Sequence, residues 1–389
     1  MTWTREQIEI RALAHEFAGG ELRGASAGWD SNRDLDDEVF GKLAEIGFLG
    51  MLIPEQYGGL DFDLGTYLLV LEELAWGDAS VALSVAIHNG PVAGLLQRYG
   101  SDEQKQRWLP GLVSGSLLGA FALSEPGAGS DAGSVSTNAE RSGTGWTLSG
   151  EKRWVTNGRR AGLVLTFART EPDGMSAFLL PSDSDGYIVG AREGTMGFRA
   201  SQTVSVELDG VELPAEGLLG DAGRGLPYAL EALDLGRAGI AAQAVGIGRS
   251  AMEHAARYAL EREQFGRAIA DFGAIQAKLA EMARKLTGAR LLAHHAGAAL
   301  EAANRGDGHA RTGVQGVTSL AAIAKLAASE AATWSADQAI QTFGGYGYMR
   351  HYPVEQLLRD AKGTEIYEGT NEIMRMVIAR EVLRDAAID

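Results

Sequence analysis

The sequence contains no cysteine. This absence excludes disulfides, cysteine nucleophiles, and metal or iron–sulfur sites that use thiolate ligands. The chain does not need such cross-links, because at 389 residues it can bury about three quarters of its unfolded surface. A chain of this length is expected to form two or three domains.

Basic residues are in the minority. The 35 Lys and Arg residues against 51 Asp and Glu give a formal net charge of −16 and a pI near 5.0. An acidic surface disfavours nucleic acid and anionic membranes as partners. A small anionic ligand is compatible with this charge, because it needs only a local group of arginines and backbone N–H groups.

Long hydrophobic runs and targeting segments are also lacking. No apolar run approaches the 18 or so residues of a membrane span. The N-terminal segment MTWTREQIEIRALAHEF has neither the apolar stretch of a signal peptide nor the acid-poor character of a transit peptide. We therefore expect a cytoplasmic protein with no membrane partner.

The residue patterns divide the chain into three zones. The first reads as helical, for example over Leu64–Trp76, and Ser101-Asp102 stands where a further helix is predicted to start. In the second, Val204–Leu208 alternates apolar and polar residues and Asp209-Gly210 follows as a predicted turn, which is typical of a β-domain. In the third, apolar residues recur every three or four positions from Ile275 to Ala289, which predicts long helices in an antiparallel bundle. The predicted class is α+β, mostly α, with domains 1–119, 120–225 and 226–389.

A glycine-rich segment opens the β-zone at Ala122–Asp131. Clustered glycines let backbone N–H groups approach a ligand, and the hydroxyls of Ser124 and Ser130 add donors. The spacing Gly127-x-Gly129-x-x-x-Gly133 is not followed by a helical period, so the segment is not a dinucleotide fingerprint. It is either a ligand loop or a Gly/Ser loop that merely begins the β-domain.

Three further segments each have a functional and a structural interpretation. Trp154 and Thr156 could lay an indole and a hydroxyl against a flat ligand, or could belong to an ordinary strand. Arg262–Gly266 could grip a phosphate, since arginine binds phosphate through two parallel hydrogen bonds, or could be a salt-bridged helix end. Gln341–Gly347 could be a helix stop or a close approach of the backbone to a ligand.

One carboxylate stands in an apolar turn near the C-terminus. Thr370 is a predicted N-cap for the last helix, which leaves Glu368 just before it, between Tyr367 and Gly369. Such a residue is either solvated or a general base whose pKa is raised by apolar surroundings. No histidine spacing indicates a metal site, and there is neither a Gly-x-Ser-x-Gly elbow nor a Walker A motif.

The order and spacing of these motifs resemble the acyl-CoA dehydrogenase family along nearly the whole chain. The resemblance implies a helical N-terminal domain, a β-barrel-like middle domain and a C-terminal four-helix bundle, assembled as a homotetramer. It rests on Ser124–Asp131, Trp154–Gly158, Met196–Arg199, Arg262–Gly266, Gln341–Gly345, Tyr352–Glu355, Arg359–Lys362 and Ile366–Ile373.

The resemblance also implies roles for individual residues. Glu368 would be the catalytic base that removes the α-proton of an acyl-CoA, with hydride transfer to FAD and electrons passed to an electron-transfer flavoprotein. The implied substrate-binding residues are Ser130, Asp234, Arg237, Tyr367, Glu368 and Gly369. The implied FAD-binding residues are Phe121, Leu123, Ser124, Gly129, Ser130, Trp154, Val155, Thr156, Arg262, Gln264, Phe265, Phe272, Gln341, Gly344, Gly345, Thr370 and Glu372.

Two other functions stay open at this point. An acyl-CoA oxidase or flavin monooxygenase of the same fold would pass electrons to oxygen, and a non-catalytic relative would keep only the fold. Some members of the family place the base on the helix that carries Leu235–Arg237, but here Gly236 occupies that position. The sequence does not specify the length or branching of the acyl group.

Overall fold

A computed structural model describes residues 3–172, 174–305 and 316–387. Its elements follow the predicted order of helices, then a sheet, then long helices. The predicted domain boundary after residue 119 falls inside the first strand, Leu118–Ala122, and the boundary after residue 225 falls at the first residue of a long helix.

The N-terminal part is built from seven helices. Two of them begin with capping boxes, in which Thr4 pairs with Gln7 and Ser101 pairs with Gln104. The start predicted at Ser101 is therefore confirmed. The helices are α1 (Arg5–Phe17), α2 (Ser26–Asn32), α3 (Glu38–Glu45), α4 (Leu64–Gly77), α5 (Ala79–Ile87), α6 (Gly94–Tyr99) and α7 (Asp102–Val113).

Helices α5 and α6 are joined by a π-helical segment, His88–Ala93, into one stretch. This stretch, Ala79–Tyr99, has 21 residues and a mean hydropathy of 1.4, long and apolar enough to cross a membrane by length and composition alone. The sequence shows no unbroken apolar run of this length, because His88, Asn89 and Pro91 interrupt the apolar residues. Its apolar window is 89% buried inside the fold, as in a core helix.

The middle part is an eight-stranded sheet. The strand order is β6-β7-β3-β2-β4-β5-β8, and β1 pairs with β4 in parallel. The strands are β1 (Leu118–Ala122), β2 (Asn138–Ser142), β3 (Gly145–Val155), β4 (Ala161–Thr170), β5 (Gly174–Pro181), β6 (Tyr187–Arg192), β7 (Val204–Leu213) and β8 (Leu218–Leu219).

The turn predicted at Asp209-Gly210 is wrong, because β7 continues through it to Leu213. The pairing of β7 with β3 shifts at this point, from Leu208 opposite Gly150 to Val211 opposite Leu148. Asp209 and Gly210 therefore form a β-bulge, and Gly210 takes a φ of 65°. The Asp-Gly pair supplies the left-handed residue of a bulge rather than the reversal of a hairpin.

The C-terminal part is a bundle of long helices with a short hairpin. Helix α8 packs closely on α4, since a Cβ at Gly246 would lie 2.2 Å from the carbonyl oxygen of Glu72. The helices are α8 (Gly225–Glu261), α9 (Gly273–Asn304), α10 (Val317–Phe343), α11 (Pro353–Thr364) and α12 (Asn371–Ala386), and the hairpin is formed by β9 (Glu263–Gln264) and β10 (Arg267–Ala268).

Buried ion pairs join this bundle to the N-terminal helices. Glu73 of α4 accepts hydrogen bonds from Arg11 at 2.8 Å and from Arg249 of α8 at 2.7 Å. Burial by itself would raise the pKa of Glu73, but the bonds and charge of Arg249, together with His15 and Arg11, outweigh it and hold the pKa at about 2. The carboxylate form of Glu73 therefore stabilises the contact between the two helical parts.

Replacing Glu73 by glutamine is expected to reduce the free energy of unfolding by about 3–5 kcal/mol at pH 7, because Arg249 would lose a buried partner. The contribution of Glu73 in the wild type is present above the ordinary pKa of 4.5 and is lost as the pH falls towards 2. Chemical denaturation between pH 7 and pH 3 measures both effects. The matched control is Glu9→Gln, which removes an exposed ion pair with Arg5. An equal effect of the two variants would contradict the prediction.

Candidate active site

Glu368 lies in a turn between α11 and α12, which we call the Glu368 turn (residues 367–369). Both Glu368, with a φ of 56°, and Gly369, with a φ of 94°, adopt the left-handed conformation. This conformation is unfavourable for a residue with a Cβ, so surrounding contacts must maintain it at Glu368. Thr370 follows as the N-cap of α12 and accepts a hydrogen bond from the Ile373 N–H, as the sequence predicts.

The carboxylate of Glu368 is withdrawn from water. The residue as a whole is half-buried, but its Oε2 atom is fully buried and has no hydrogen-bond partner among the described residues. Burial raises the pKa of Glu368 to about 7, although Arg237 and Lys325 act in the opposite direction. A carboxylate with a pKa near neutrality and a free oxygen can accept a proton from a weak acid.

Two residues of α8 support the turn from one side. Arg237 donates a hydrogen bond to the carbonyl oxygen of Glu368 at 3.4 Å and another to Asp234 at 2.7 Å. Asp234 also accepts a hydrogen bond from the Thr318 hydroxyl at 2.5 Å. The sequence-predicted residues Asp234, Arg237, Glu368 and Gly369 therefore lie together.

Gly236 provides the space that the Glu368 carboxylate occupies. A Cβ at position 236 would lie 2.6 Å from Oε2 of Glu368, which is closer than unbonded atoms approach. The predicted substrate residue Tyr367 lies beside this space, and its hydroxyl donates to the side chain of Gln243. A second tyrosine, Tyr67 of α4, also lies near the carboxylate. Burial and the charge of Glu368 raise the pKa of Tyr67, so the Tyr67 hydroxyl stays protonated.

A second group of predicted residues belongs to the sheet domain. Leu123 is buried and Phe121 is half-buried. Gly129 and Ser130 are exposed on the glycine-rich loop. A buried ion pair anchors this loop: Lys152 donates to Glu125 at 2.7 Å and to the Leu123 carbonyl at 3.2 Å. The loop is thereby held in place at Leu123 and Glu125, while Gly129 and Ser130 are exposed to solvent.

The strand end at Trp154 lies next to this loop. The Arg153 N–H donates to the carbonyl oxygen of Ser124, which joins β3 to the loop. Trp154 has a φ of 58° and is 54% exposed, and Thr156 is half-buried. The side chain of Val155 is buried in the sheet core, so only its backbone is available to a ligand.

The third group lies at the ends of α8 and α10, where Arg262 and Phe272 are half-buried and the other members are exposed. Phe265 is 94% exposed and meets Phe272 edge to face, and Arg262 lies 5.6 Å from the ring centre of Tyr346. The other predicted members of this group, Gln264, Gln341, Gly344 and Gly345, are also exposed. Glu372, at the first turn of α12, is exposed as well.

The chain matches three family models that together cover most of its length. Residues 4–116 match the acyl-CoA dehydrogenase N-terminal domain, residues 120–211 the middle domain and residues 223–383 the C-terminal domain. The chain belongs to the acyl-CoA dehydrogenase family. The resemblance inferred from the motifs is confirmed, and with it the fold class and the assignment to an oxidoreductase family.

Curated relatives are similar to the chain over almost its whole length. The acyl-CoA dehydrogenase of Bacillus subtilis is 41% identical over 384 residues, which cover 98% of each chain. The mitochondrial short-chain specific acyl-CoA dehydrogenase of Rattus norvegicus is 41% identical over 96% of this chain and 89% of its own.

Solved structures share the fold. Butyryl-CoA dehydrogenase from Megasphaera elsdenii has a TM-score of 0.93 and 38% identity, covering 99% of this chain and 100% of its own. A chain in a structure of the electron transferring flavoprotein of Acidaminococcus fermentans has a TM-score of 0.93 and 39% identity, with 99% of both chains covered. Glutaryl-CoA dehydrogenase from Mycobacterium smegmatis in complex with FADH2 has a TM-score of 0.90 and 30% identity, covering 98% of this chain and 95% of its own.

FAD is the cofactor of this family, and the residues of this chain fit it. A Cβ added at Gly127, Gly129, Gly344 or Gly345 would meet no atom within 4 Å, so the backbone at these positions is open to a ligand. The exposed indole of Trp154 offers a flat apolar surface for a ring system. Phe121, Ser130 and Thr156 would hold the flavin end, and Arg262 would hold the pyrophosphate of a cofactor.

Sequence reasoning missed several residues around the site. Lys325, Gln243 and Tyr67 are fully buried residues with polar groups near the Glu368 turn, and the buried Lys152 supports the glycine-rich loop. Lys325 and Gln243 each interrupt a long Ala-rich run, in AAIAKLAASEAA and AAQAVGIG. A polar residue on the apolar face of a helix is the only signal that could have indicated them.

Replacing Lys152 by methionine is expected to loosen the glycine-rich loop, because Glu125 would be left buried without its cation. The free energy of unfolding should fall by about 3–5 kcal/mol, and the purified variant should retain less FAD. Thermal denaturation and the ratio of flavin to protein absorbance after gel filtration measure these effects. Arg169→Met, which removes an exposed ion pair with Glu171, is the control. Full FAD retention by the Lys152 variant would contradict the assigned role.

Proposed function

We propose that the protein oxidises an acyl-CoA thioester to the trans-2-enoyl-CoA, with Glu368 as the base that removes the α-proton. The observation that supports this most strongly is the buried, unpartnered Oε2 of Glu368 with a pKa of about 7. A solvated loop carboxylate would have neither property. Gly236, which has no side chain, leaves room for this carboxylate beside α8.

The reaction removes a proton from one carbon and a hydride from the next. Glu368 takes the α-proton on its carboxylate, and bound FAD supplies the acceptor for the β-hydride. The Cα–Cβ bond of the acyl group thereby becomes a double bond, and the protonated Glu368 afterwards returns its proton to solvent. Burial favours the uptake of the α-proton by Glu368, because a water-poor environment stabilises the neutral carboxylic acid relative to the carboxylate.

Proton removal also requires that the thioester oxygen be stabilised as negative charge develops on it. The N–H of Glu368 is bonded to no acceptor within the described part of the chain, so it is available to this oxygen. Arg237 lies against the same turn and adds positive charge. A preorganised donor and a nearby cation are the elements of an oxyanion site.

The comparisons support a narrower proposal for the substrate and the electron acceptor. Relatives over nearly the full length are named short-chain specific acyl-CoA dehydrogenase and butyryl-CoA dehydrogenase. A structure of an electron transferring flavoprotein contains a chain with the same fold. We propose a short acyl-CoA as the substrate and an electron-transfer flavoprotein as the acceptor.

We also propose a homotetramer. Most of the third group of FAD-binding residues, at the ends of α8 and α10, is exposed in the single chain. Phe265 is 94% exposed and lies against Phe272, and neighbouring apolar side chains at a surface are typical of an interface. In the proposed assembly, this group would reach the cofactor of a neighbouring subunit.

Replacing Glu368 by glutamine is expected to lower kcat by about 10²–10⁴-fold while FAD and substrate still bind. In the wild type, kcat/KM should rise as the pH increases through about 7, because only the ionised carboxylate accepts a proton. Steady-state assays over pH 5.5–9 and anaerobic flavin bleaching measure both. Glu330→Gln, an exposed residue of α10, is the control. Turnover by the Glu368 variant near the wild-type level would refute the proposed base.

A panel of acyl-CoA thioesters tests the substrate and the acceptor. Anaerobic bleaching of the flavin should be fastest with straight acyl chains of four to six carbons or so, since the named relatives act on short chains. Reoxidation by an electron-transfer flavoprotein should be faster than reoxidation by air. Faster reoxidation by air would favour an acyl-CoA oxidase, and preferential bleaching by long or aromatic thioesters would contradict a short-chain substrate.

A further inference from the structure

Lys325 is a fully buried lysine of α10 that lies against the Glu368 turn. Its ammonium group donates to the carbonyl oxygen of Gly369 at 2.8 Å and to Oδ1 of Asn371 at 3.0 Å. An ammonium group is costly to bury, and it is retained in a core only where it has close polar partners. Here both partners belong to the segment that begins at Glu368.

Helix α10 holds this segment at a second point one turn further on. The hydroxyl of Ser329, four residues after Lys325 and hence on the same helix face, is hydrogen-bonded to the Asn371 side chain at 3.1 Å. Asn371 is thus shared between Lys325 and Ser329. The segment from Gly369 to Asn371 is therefore hydrogen-bonded to helix α10 rather than to a loop.

These hydrogen bonds stabilise the strained backbone of the Glu368 turn. Glu368 and Gly369 are consecutive left-handed residues, and Glu368 carries a Cβ that disfavours this conformation. Arg237 holds the Glu368 carbonyl from α8, and Lys325 holds the Gly369 carbonyl from α10. Two cations on two helices therefore fix the two successive carbonyls of the turn.

Neither cation forms a hydrogen bond with Oε2 of Glu368, which has no partner within the described residues. The charged groups that face the carboxylate are Arg237 and Asp234 from α8 and Lys325 from α10, and the neutral hydroxyls of Tyr67 and Tyr367 lie nearby. Glu365 and Glu372 also act on Lys325. Lys325 thus contributes positive charge near the carboxylate without occupying the oxygen that accepts a proton.

We propose that Lys325 is a positioning residue of the reaction, which holds the Gly369 carbonyl and the Asn371 side chain so that Glu368 keeps its left-handed conformation with a free carboxylate. This proposal rests on the proposed function, because it assumes that Glu368 removes the α-proton. It predicts that the loss of Lys325 impairs proton removal more than it impairs substrate binding.

The test measures proton removal separately from oxidation. Acetyl-CoA has α-hydrogens but no β-carbon, so the FAD-loaded enzyme can exchange its α-hydrogens with D2O but cannot oxidise it. Lys325→Met, which keeps an unbranched side chain one atom shorter and removes the charge and the hydrogen bonds, is expected to slow this exchange about a hundredfold. The midpoint of its pH dependence should rise by about one pH unit, because a cation that favours the ionised Glu368 is lost.

Three comparisons make the result specific. KM for a short acyl-CoA should change little while kcat falls, and Lys325→Arg should restore the midpoint of the pH profile because it restores the charge. Lys42→Met, which removes an exposed ion pair with Glu21, should behave as the wild type. Should Lys325→Met fail to fold, Lys325→Gln is measured in its place with the same expectations.

The outcomes separate this proposal from the proposed function. A folded, FAD-containing Lys325→Met or Lys325→Gln protein with wild-type exchange and an unchanged midpoint would overturn the role of Lys325. Glu368→Gln should abolish the exchange. If instead it exchanges as fast as the wild type, Glu368 is not the base, and both the proposed function and the role of Lys325 that depends on it fail. Abolished exchange in Glu368→Gln with normal exchange in the Lys325 variants removes only the role of Lys325.

Discussion

The site depends on one unfavourable arrangement, a carboxylate of which one oxygen, Oε2 of Glu368, is removed from water and has no hydrogen-bond partner in the part of the chain that the structure describes. Such a group costs free energy in its charged form, and this cost is what brings its pKa to about 7. The arrangement persists only because the surrounding helices fix the backbone on which the carboxylate stands. Much of the C-terminal bundle serves this purpose: α8 contributes Arg237 and the space at Gly236, and α10 contributes Lys325.

The stiffness of the bundle comes from close packing of small residues. Gly246 allows α8 to touch α4 at backbone distance, and the buried faces of α8 and α10 are rich in alanine. Glu73 of α4 and Arg249 of α8, which meet in the same region, form a buried ion pair. Closely packed helices move little relative to one another, so the groups that they present to the Glu368 turn stay in register.

Features that depend on local sequence could be predicted. The helix start at Ser101, the N-cap at Thr370 and the apolar surroundings of Glu368 all follow from residues within a few positions of each other. The ordered motifs indicated the family correctly. The bulge at Asp209-Gly210 was missed because an Asp-Gly pair serves a bulge as well as a turn, and the pairing partner that decides between them lies far away in the sequence. Lys325 was missed for the same reason, since it bonds a residue 44 positions away.

The contact between position 236 and Glu368 has a consequence for how this site can change over time. Some members of the family carry the base on the helix that here contains Gly236, and in this chain a side chain at 236 and the carboxylate of Glu368 would occupy the same volume. A side chain introduced at 236 would therefore displace the end of the Glu368 side chain from the position that it now occupies. A second carboxylate on this helix would change the place of the first, so the two positions are coupled. A move of the base from one helix to the other is then a change at both positions rather than at one.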